Sequence, residues 1–263
     1  MTDIAHTTVP APIPMPALRV ARVYMLEAKY EALGRLRTPT GNITTLLIPI
    51  LFYALFGLVF GASRKSPQAA QELYLTCNAL GAMAPGLFGF GATVAVEREQ
   101  GLINLKRALP IPQNAYMTGK MLTAIVFATL VGICLAFTAA YFGGATLSVP
   151  RYAAIIALDG AGALPFCALG MFIGVSANAQ AAQAITTLVY MAMMFLSGAT
   201  YPLAMLPSFF QRVVVVWPLY HLSEVISAIG AGAYRGHIAQ HVADLVGVTI
   251  LFYLLAVRRL RRG

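Results

Sequence analysis

The sequence predicts an all-α integral membrane protein, and three observations predict it. The 263-residue chain is 59% hydrophobic and only 10% charged, with a mean hydropathy of +0.75. A soluble domain carries about a quarter charged residues, so this chain lacks the polar groups to cover a surface in water. Second, apolar stretches at residues 42–62, 73–96, 116–142, 153–177, 179–200 and 238–257 each approach the roughly 20 residues that a helix needs to cross hydrocarbon. Third, threading these six spans in alternation sorts the basic residues. Arg19, Arg22, Lys29, Arg35, Arg37, Arg98, Lys106, Arg107, Lys120, Arg258, Arg259, Arg261 and Arg262 fall on one side; Arg64, Lys65, Arg151, Arg212 and Arg235 fall on the other. Lys and Arg stay cytoplasmic, which places both termini and the loop at residues 97–112 on the cytoplasmic side of an inner membrane. The net charge of +9 then follows from topology and contact with anionic lipid, and no nucleic-acid partner is needed.

Residues 1–16 carry Pro10, Pro12, Pro14 and Pro16 and no basic start leading into an apolar core. This predicts a disordered cytoplasmic tail rather than a cleaved signal peptide. Residues 17–38 form a predicted amphipathic interfacial helix. Val23, Leu26, Tyr30 and Leu33 share one face, and Glu27, Glu31 and Arg35 the opposite one. Its role is either a membrane anchor or a lever touching a cytoplasmic partner. Residues 39–263 form the six-span domain.

The long charged segment between two apolar stretches runs from Glu97-Arg98-Glu99 through Gly101, Leu102, Ile103, Leu105, Lys106 and Arg107 to Pro110. It must lie in water against the bilayer. Apolar residues among charges suit it to docking another protein. Gly101 permits a turn or a close approach, and Pro110 and Pro112 end the elbow. Between spans five and six, Pro202, Pro207 and Pro218 break an apolar run. Pieces too short to span, at membrane depth, predict re-entrant helices dipping in from outside, with Tyr201, Trp217 and Tyr220 at the interface.

Catalytic signals are sparse. Gly119-Lys120-Met121 ends like a phosphate-binding loop, but Met121 replaces the required Ser or Thr and Asn114 the earlier glycine; the chain holds no ATP site and binds no cofactor. His237 and His241 are four apart without a carboxylate at ligand spacing, so outer-loop polar residues outweigh a metal site. Cys77, Cys134 and Cys167 sit in apolar runs as packing residues. Asp159 lies inside span four, where a carboxylate is either functional or bonded within a close-packed bundle beside Gly160 and Gly162. Gly174-Val175-Ser176 faintly resembles a membrane-embedded serine hydrolase, but the histidines fall at the opposite face from Ser176. No filter sequence for an ion channel is present.

Three features together resemble the permease subunit of type-2 ATP-binding-cassette exporters. They are Glu97-Arg98-Glu99-x-Gly101 through Leu109-Pro110 with Gly119-Lys120, then Leu196-Ser197-Gly198, Pro202, Leu206-Pro207 and Pro218-Leu219, and the amphipathic helix before span one. Leu102 departs from the pattern, where threonine is common. The resemblance implies a dimer of permeases, a second copy of this chain being the expected partner, with two ATP-binding cassette subunits that carry ATP and Mg. It implies that the elbow is a cytoplasmic coupling helix, with Glu97, Arg98, Glu99, Gly101, Leu105 and Pro110 meeting the ATPase. It places the substrate path between spans two and five, with Met83, Phe88, Asp159, Tyr190, Met194 and Phe195 as candidates. Pro202, Pro207, Trp217 and Glu224 are the candidate outer gate. The adaptable apolar surface of methionine and aromatics points to an amphiphilic, drug-like or lipid-like substrate moved outward. The alternatives are a polysaccharide or glycolipid exporter of the same family and, in another class, the membrane-embedded hydrolase.

Overall fold

The computed structural model describes residues 16–37, 47–61, 66–108, 113–200, 203–205, 207–232 and 237–262, all helix or connecting turn. The expectations for the tail 1–15, for Arg64, Lys65, Pro110, Pro112, Pro202 and Arg235, and for the flanks of the first apolar stretch lie outside the described residues. In chain order the helices are α1 (Ala17–Arg37), α2 (Leu47–Val59), α3 (Pro67–Glu99), α4 (Leu102–Ala108), α5 (Gln113–Tyr141), α6 (Val149–Ser176), α7 (Ala179–Leu196), α8 (Ser208–Val213), α9 (Pro218–Ala231) and α10 (Ile238–Arg262).

Among the described residues, α3, α5, α6, α7 and α10 are long and apolar enough to cross a membrane. Of the first expected span, the described helix is α2, which at 1.5 Å per residue covers about 20 Å of a hydrocarbon core of roughly 30 Å. Its last turns, Ala54–Val59, are wound as a π-helix. The proline-broken segment forms a 3₁₀ turn at Leu203–Met205, then α8, a second 3₁₀ turn at Val214–Val216 and α9, with an 85° bend between Ser208–Val216 and Pro218–Ala231. This is the re-entrant or broken geometry the prolines predict. Pro218 sits in the first turn of α9, where its missing N–H has no helical role.

Helix α3 extends well beyond the predicted residues 73–96. Ser66 caps it, its Oγ accepting from the Ala69 amide at 3.1 Å, and Pro67 opens it. Its far end keeps Glu97, Arg98 and Glu99 helical, so the charged triad ends a span rather than lying in the loop after it. Gly101 follows at φ +74°, the turn its glycine allows, with nothing within 4 Å of the Cβ it lacks.

Helix α3 is the central post of the bundle, packed by α5, α6, α7 and α9. Its closest neighbour is α6, because glycines remove side chains from the seam. A Cβ on Gly86 would meet the Ala163 carbonyl at 2.7 Å, and one on Gly174 the Gly91 carbonyl at 2.6 Å. Without a hydrophobic driving force in lipid, such close backbone approach is what holds helices together. Conversely, α10 packs against α6 and α9 with few buried residues, Leu245 and Ala256 among them, as a helix at the rim of a bundle should.

Helix α1 forms where expected, but its predicted apolar stripe is divided: Leu26 and Tyr30 are exposed, Val23 and Leu33 partly buried. Glu27 and Glu31 turn inward, where the polar face finds charges on the protein.

Candidate functional site

The last turn of α3 projects three consecutive charges, and each one fastens a different helix. Glu97 accepts from the Lys120 ammonium of α5 at 2.7 Å and from the Tyr116 hydroxyl. Arg98 donates to the carbonyls of Val175 and Ala177, the latter at 2.8 Å, where α6 ends. Those carbonyls have no helical partner and carry the negative end of the helix dipole. Glu99 accepts from the Ala179 amide at 2.8 Å, at the positive end of α7, beside the Asn178 cap that takes the Ala181 amide at 2.8 Å. The triad therefore ties the ends of α5, α6 and α7 to α3.

Lys120 is the centre of this arrangement. It is 1% exposed and holds Glu31 of α1 at 2.6 Å as well as Glu97. Arg35 pairs with Glu31 at 3.5 Å and donates to the Gly89 carbonyl of α3. Lys106 of α4 pairs with Glu27 of α1 and lies 4.6 Å over the Tyr116 ring. Glu27, Glu31 and Glu97 are thus balanced by Arg35, Lys106 and Lys120, which is the condition for burying charge. Burial alone would raise the Glu31 pKa; Lys120, by charge and hydrogen bond, then Arg35 and Lys106, outweigh burial and lower it.

Helix α4 closes the site. Ile103, 5% exposed, inserts into a cluster with Val94, Tyr116 and Met117, while Leu102 and Leu105 stand out at 41% and 63% exposure. Helix α4 is thus held to α1, α3 and α5 by Ile103 and Lys106, with Leu102 and Leu105 presented outward.

A domain described as ABC-2 type transporter matches residues 23–229, which hold this elbow and the helices it ties. The chain belongs to the ABC-2 type transporter family. Relatives agree: a protein of Bacillus subtilis (strain 168) named as a transport permease, YvfS, is 26% identical over 218 residues, 81% of this chain and 86% of its own length. Nodulation protein J of Rhizobium meliloti (strain 1021) is 32% identical over 146 residues, 55% of each chain. Nodulation protein J of Sinorhizobium fredii (strain NBRC 101917 / NGR234) is 26% identical over 217 residues, 80% of this chain and 82% of its own. This ABC-2 chain is accordingly a multi-pass membrane permease of an ABC transporter, and family membership implies an ATP-binding partner subunit.

The other candidate residues divide into groups. Phe88 and Tyr190 meet at 5.1 Å between ring centroids, joining α3 to α7, and Met83 is fully buried. Met194 is half-buried and Phe195 44% exposed, further along α7. Thr76 donates to the Ala199 carbonyl at 3.0 Å where the α3–α7 seam ends. Asp159 is not on that seam: it is 1% exposed and packs against Gly132 of α5. Pro207 caps α8, Trp217 caps α9 and Glu224 is exposed on α9. Ser176 ends α6 beside the Arg98 contacts, whereas Arg151, at the other end of α6, lies against Gly232 where α9 stops. About 20 Å of helix separates that serine from Gly162, against which Leu222, the neighbour of His221, packs.

The sequence marks the triad, and it places Lys120 among the basic residues of one side and in the Gly119-Lys120 motif, but it does not show that Lys120 joins Glu97 to Glu31 or that Glu27, Tyr116, Ile103 and Lys106 belong to the same site. The available signal was a lysine at the opening of an apolar span, which needs a partner carboxylate. His221 was placed only at the outer edge; it pairs with His241 at 2.9 Å, across helices rather than along one.

Proposed function

We propose that this permease is the membrane-spanning subunit of an ATP-driven exporter of an amphiphilic substrate. It works as a homodimer with two ATP-binding subunits, its termini and elbow in the cytoplasm. The observation that carries this reading is the elbow with Leu102 and Leu105 presented outward and its charges tied to four helices. ATP-driven closure of the partner presses on Leu102 and Leu105. Lys106–Glu27, Lys120 and the Glu97–Arg98–Glu99 triad pass the movement to α1, α5, α6 and α7. Movement of α7 against α3 parts Phe88 from Tyr190 and opens the substrate path. Ile185, Leu188, Met191 and Phe195, exposed on one side of α7, support the second copy as neighbour. The α8–α9 segment, with Pro207, Trp217 and Glu224, gates the outer exit. An apolar seam of Phe88, Met194 and Phe195 supports an amphiphile over a sugar polymer.

The test is co-purification with the ATP-binding subunit, followed by ATP hydrolysis and substrate export in lipid vesicles. Leu102→Asp with Leu105→Asp should abolish assembly. Glu97→Gln with Glu99→Gln should preserve assembly and uncouple hydrolysis from export. Full assembly and export by the leucine variant would overturn the reading.

A further inference from the structure

Away from the elbow, level with the middle of α6 where Gly162 meets Leu222, α9 is joined to α10 by a pair of imidazoles. His221, 3% exposed, points Nε2 at the Val215 carbonyl, 2.7 Å away. A carbonyl only accepts, so Nε2 carries the hydrogen. A neutral imidazole has one N–H, which leaves Nδ1 of His221 with a lone pair. That lone pair faces Nδ1 of His241 at 2.9 Å, so His241 donates. The Asp244 carboxylate stands 3.6 Å from Nδ1 of His221. A proton added at Nε2 of His241 keeps this bond and makes it charge-assisted, with Asp244 as counter-charge. A second proton would set N–H against N–H and break it.

We propose that His221, His241 and Asp244 form a binding site for a single proton that latches α9 to α10. The polar groups around His221 are few. Tyr220, on its own helix, has ring contacts with both histidines; Glu224 is one turn further on and exposed. Helix α10 contributes His241 and Asp244, with His237 exposed one turn before. The 3₁₀ turn contributes the Val215 carbonyl. From α3, Gln71 donates to the Gly230 carbonyl and Glu72 is exposed. From α6, Gly162 meets Leu222, Arg151 meets Gly232, and Asp159 turns to α5. Singly protonated, the pair holds α9 more firmly. As a control on export it rests on the proposal that α8–α9 gates the exit; as a proton site it stands alone.

The chain supplies its own reporter, since Trp217 is its one tryptophan and caps α9. The experiment follows Trp217 emission of the full chain in lipid vesicles from pH 8 to pH 5. Emission should change with the slope of one proton per chain. His221→Gln and His241→Gln should abolish the change, Asp244→Asn should move its midpoint to lower pH, and His237→Gln should leave it intact. The half-buried His241 keeps the test valid if the His221 variant misfolds. No change in the wild type, a change that survives in His241→Gln, or one removed by a metal chelator would each overturn the site. An intact Trp217 response alongside pH-independent export would overturn the gate and leave the site standing.

Discussion

Replacing Lys120 by methionine keeps the aliphatic stem and deletes the ammonium that joins α1 to α3. The side chains of Glu31 and Glu97 are 14% and 20% exposed, and both bonds are short, at 2.6 and 2.7 Å. A hydrogen bond to a charged group contributes about 1.5–3 kcal/mol, and breaking a buried pair costs about 3–5 kcal/mol because the survivors stay buried and unpaired. Water can reach both carboxylates in part, which selects the lower bound of about 3 kcal/mol. That energy holds α1 against α5, where Thr123 still donates to the Ala28 carbonyl at 3.3 Å, while Lys106–Glu27 still ties α1 to α4. Amide exchange along α1 reports local opening, and about 3 kcal/mol corresponds to roughly 150-fold faster exchange. Adding Glu31→Gln should restore part of the protection, because the two residues are coupled and their effects are not additive. The exposed Lys29 provides the control: Lys29→Met should leave exchange unchanged. Exchange in Lys120→Met within about threefold of wild type would refute the assignment of Lys120 as the joint.

Other outcomes follow from the same geometry. Gly170→Ala puts a methyl 2.7 Å from the Leu87 carbonyl, where backbone cannot yield, and should lower stability by about 1–3 kcal/mol in thermal unfolding. Gly247→Ala meets nothing within 4 Å and should be neutral or stabilising by up to about 1 kcal/mol; equal melting shifts for the two would contradict the α3–α6 seam. Glu99→Ala removes one acceptor from the α7 N-terminus while Asn178 remains, so it should cost only about 0.3–1 kcal/mol yet reduce export per ATP hydrolysed. Because the Glu31 pKa lies below its ordinary 4.5, its contribution is complete above that value and is lost as pH falls through the lowered one. The protection of α1 amides, measured as exchange relative to the intrinsic rate at each pH, should therefore fall on acidification below about pH 4.5, and a loss of protection confined to alkaline pH would reverse the sign.

The sequence by itself determined the class, the helix order and the place of the elbow. Each rests on a local property: unbroken apolar length makes spans, proline breaks the apolar run at Pro207 and Pro218, where α8 and α9 begin, and a charged run between spans must stay in water. The triad at Glu97 was visible for the same reason. Tertiary structure decided what the charges do. Nothing in a linear reading tells that Glu97 reaches Lys120, that Arg98 meets the end of α6 at Val175, or that Glu31 of α1 faces inward. Those pairings depend on how helices far apart in sequence are rotated about their axes, and that rotation is set by close packing such as Gly86 and Gly174 in the α3–α6 seam. The same holds for His221 and His241. The visible spacing was that of His237 and His241 along one helix, but the bend before Pro218 aims α9 so that His221 supplies the partner instead. Burial in an apolar bundle leaves each polar group few alternatives, so once the helix rotations are fixed, so are the partners.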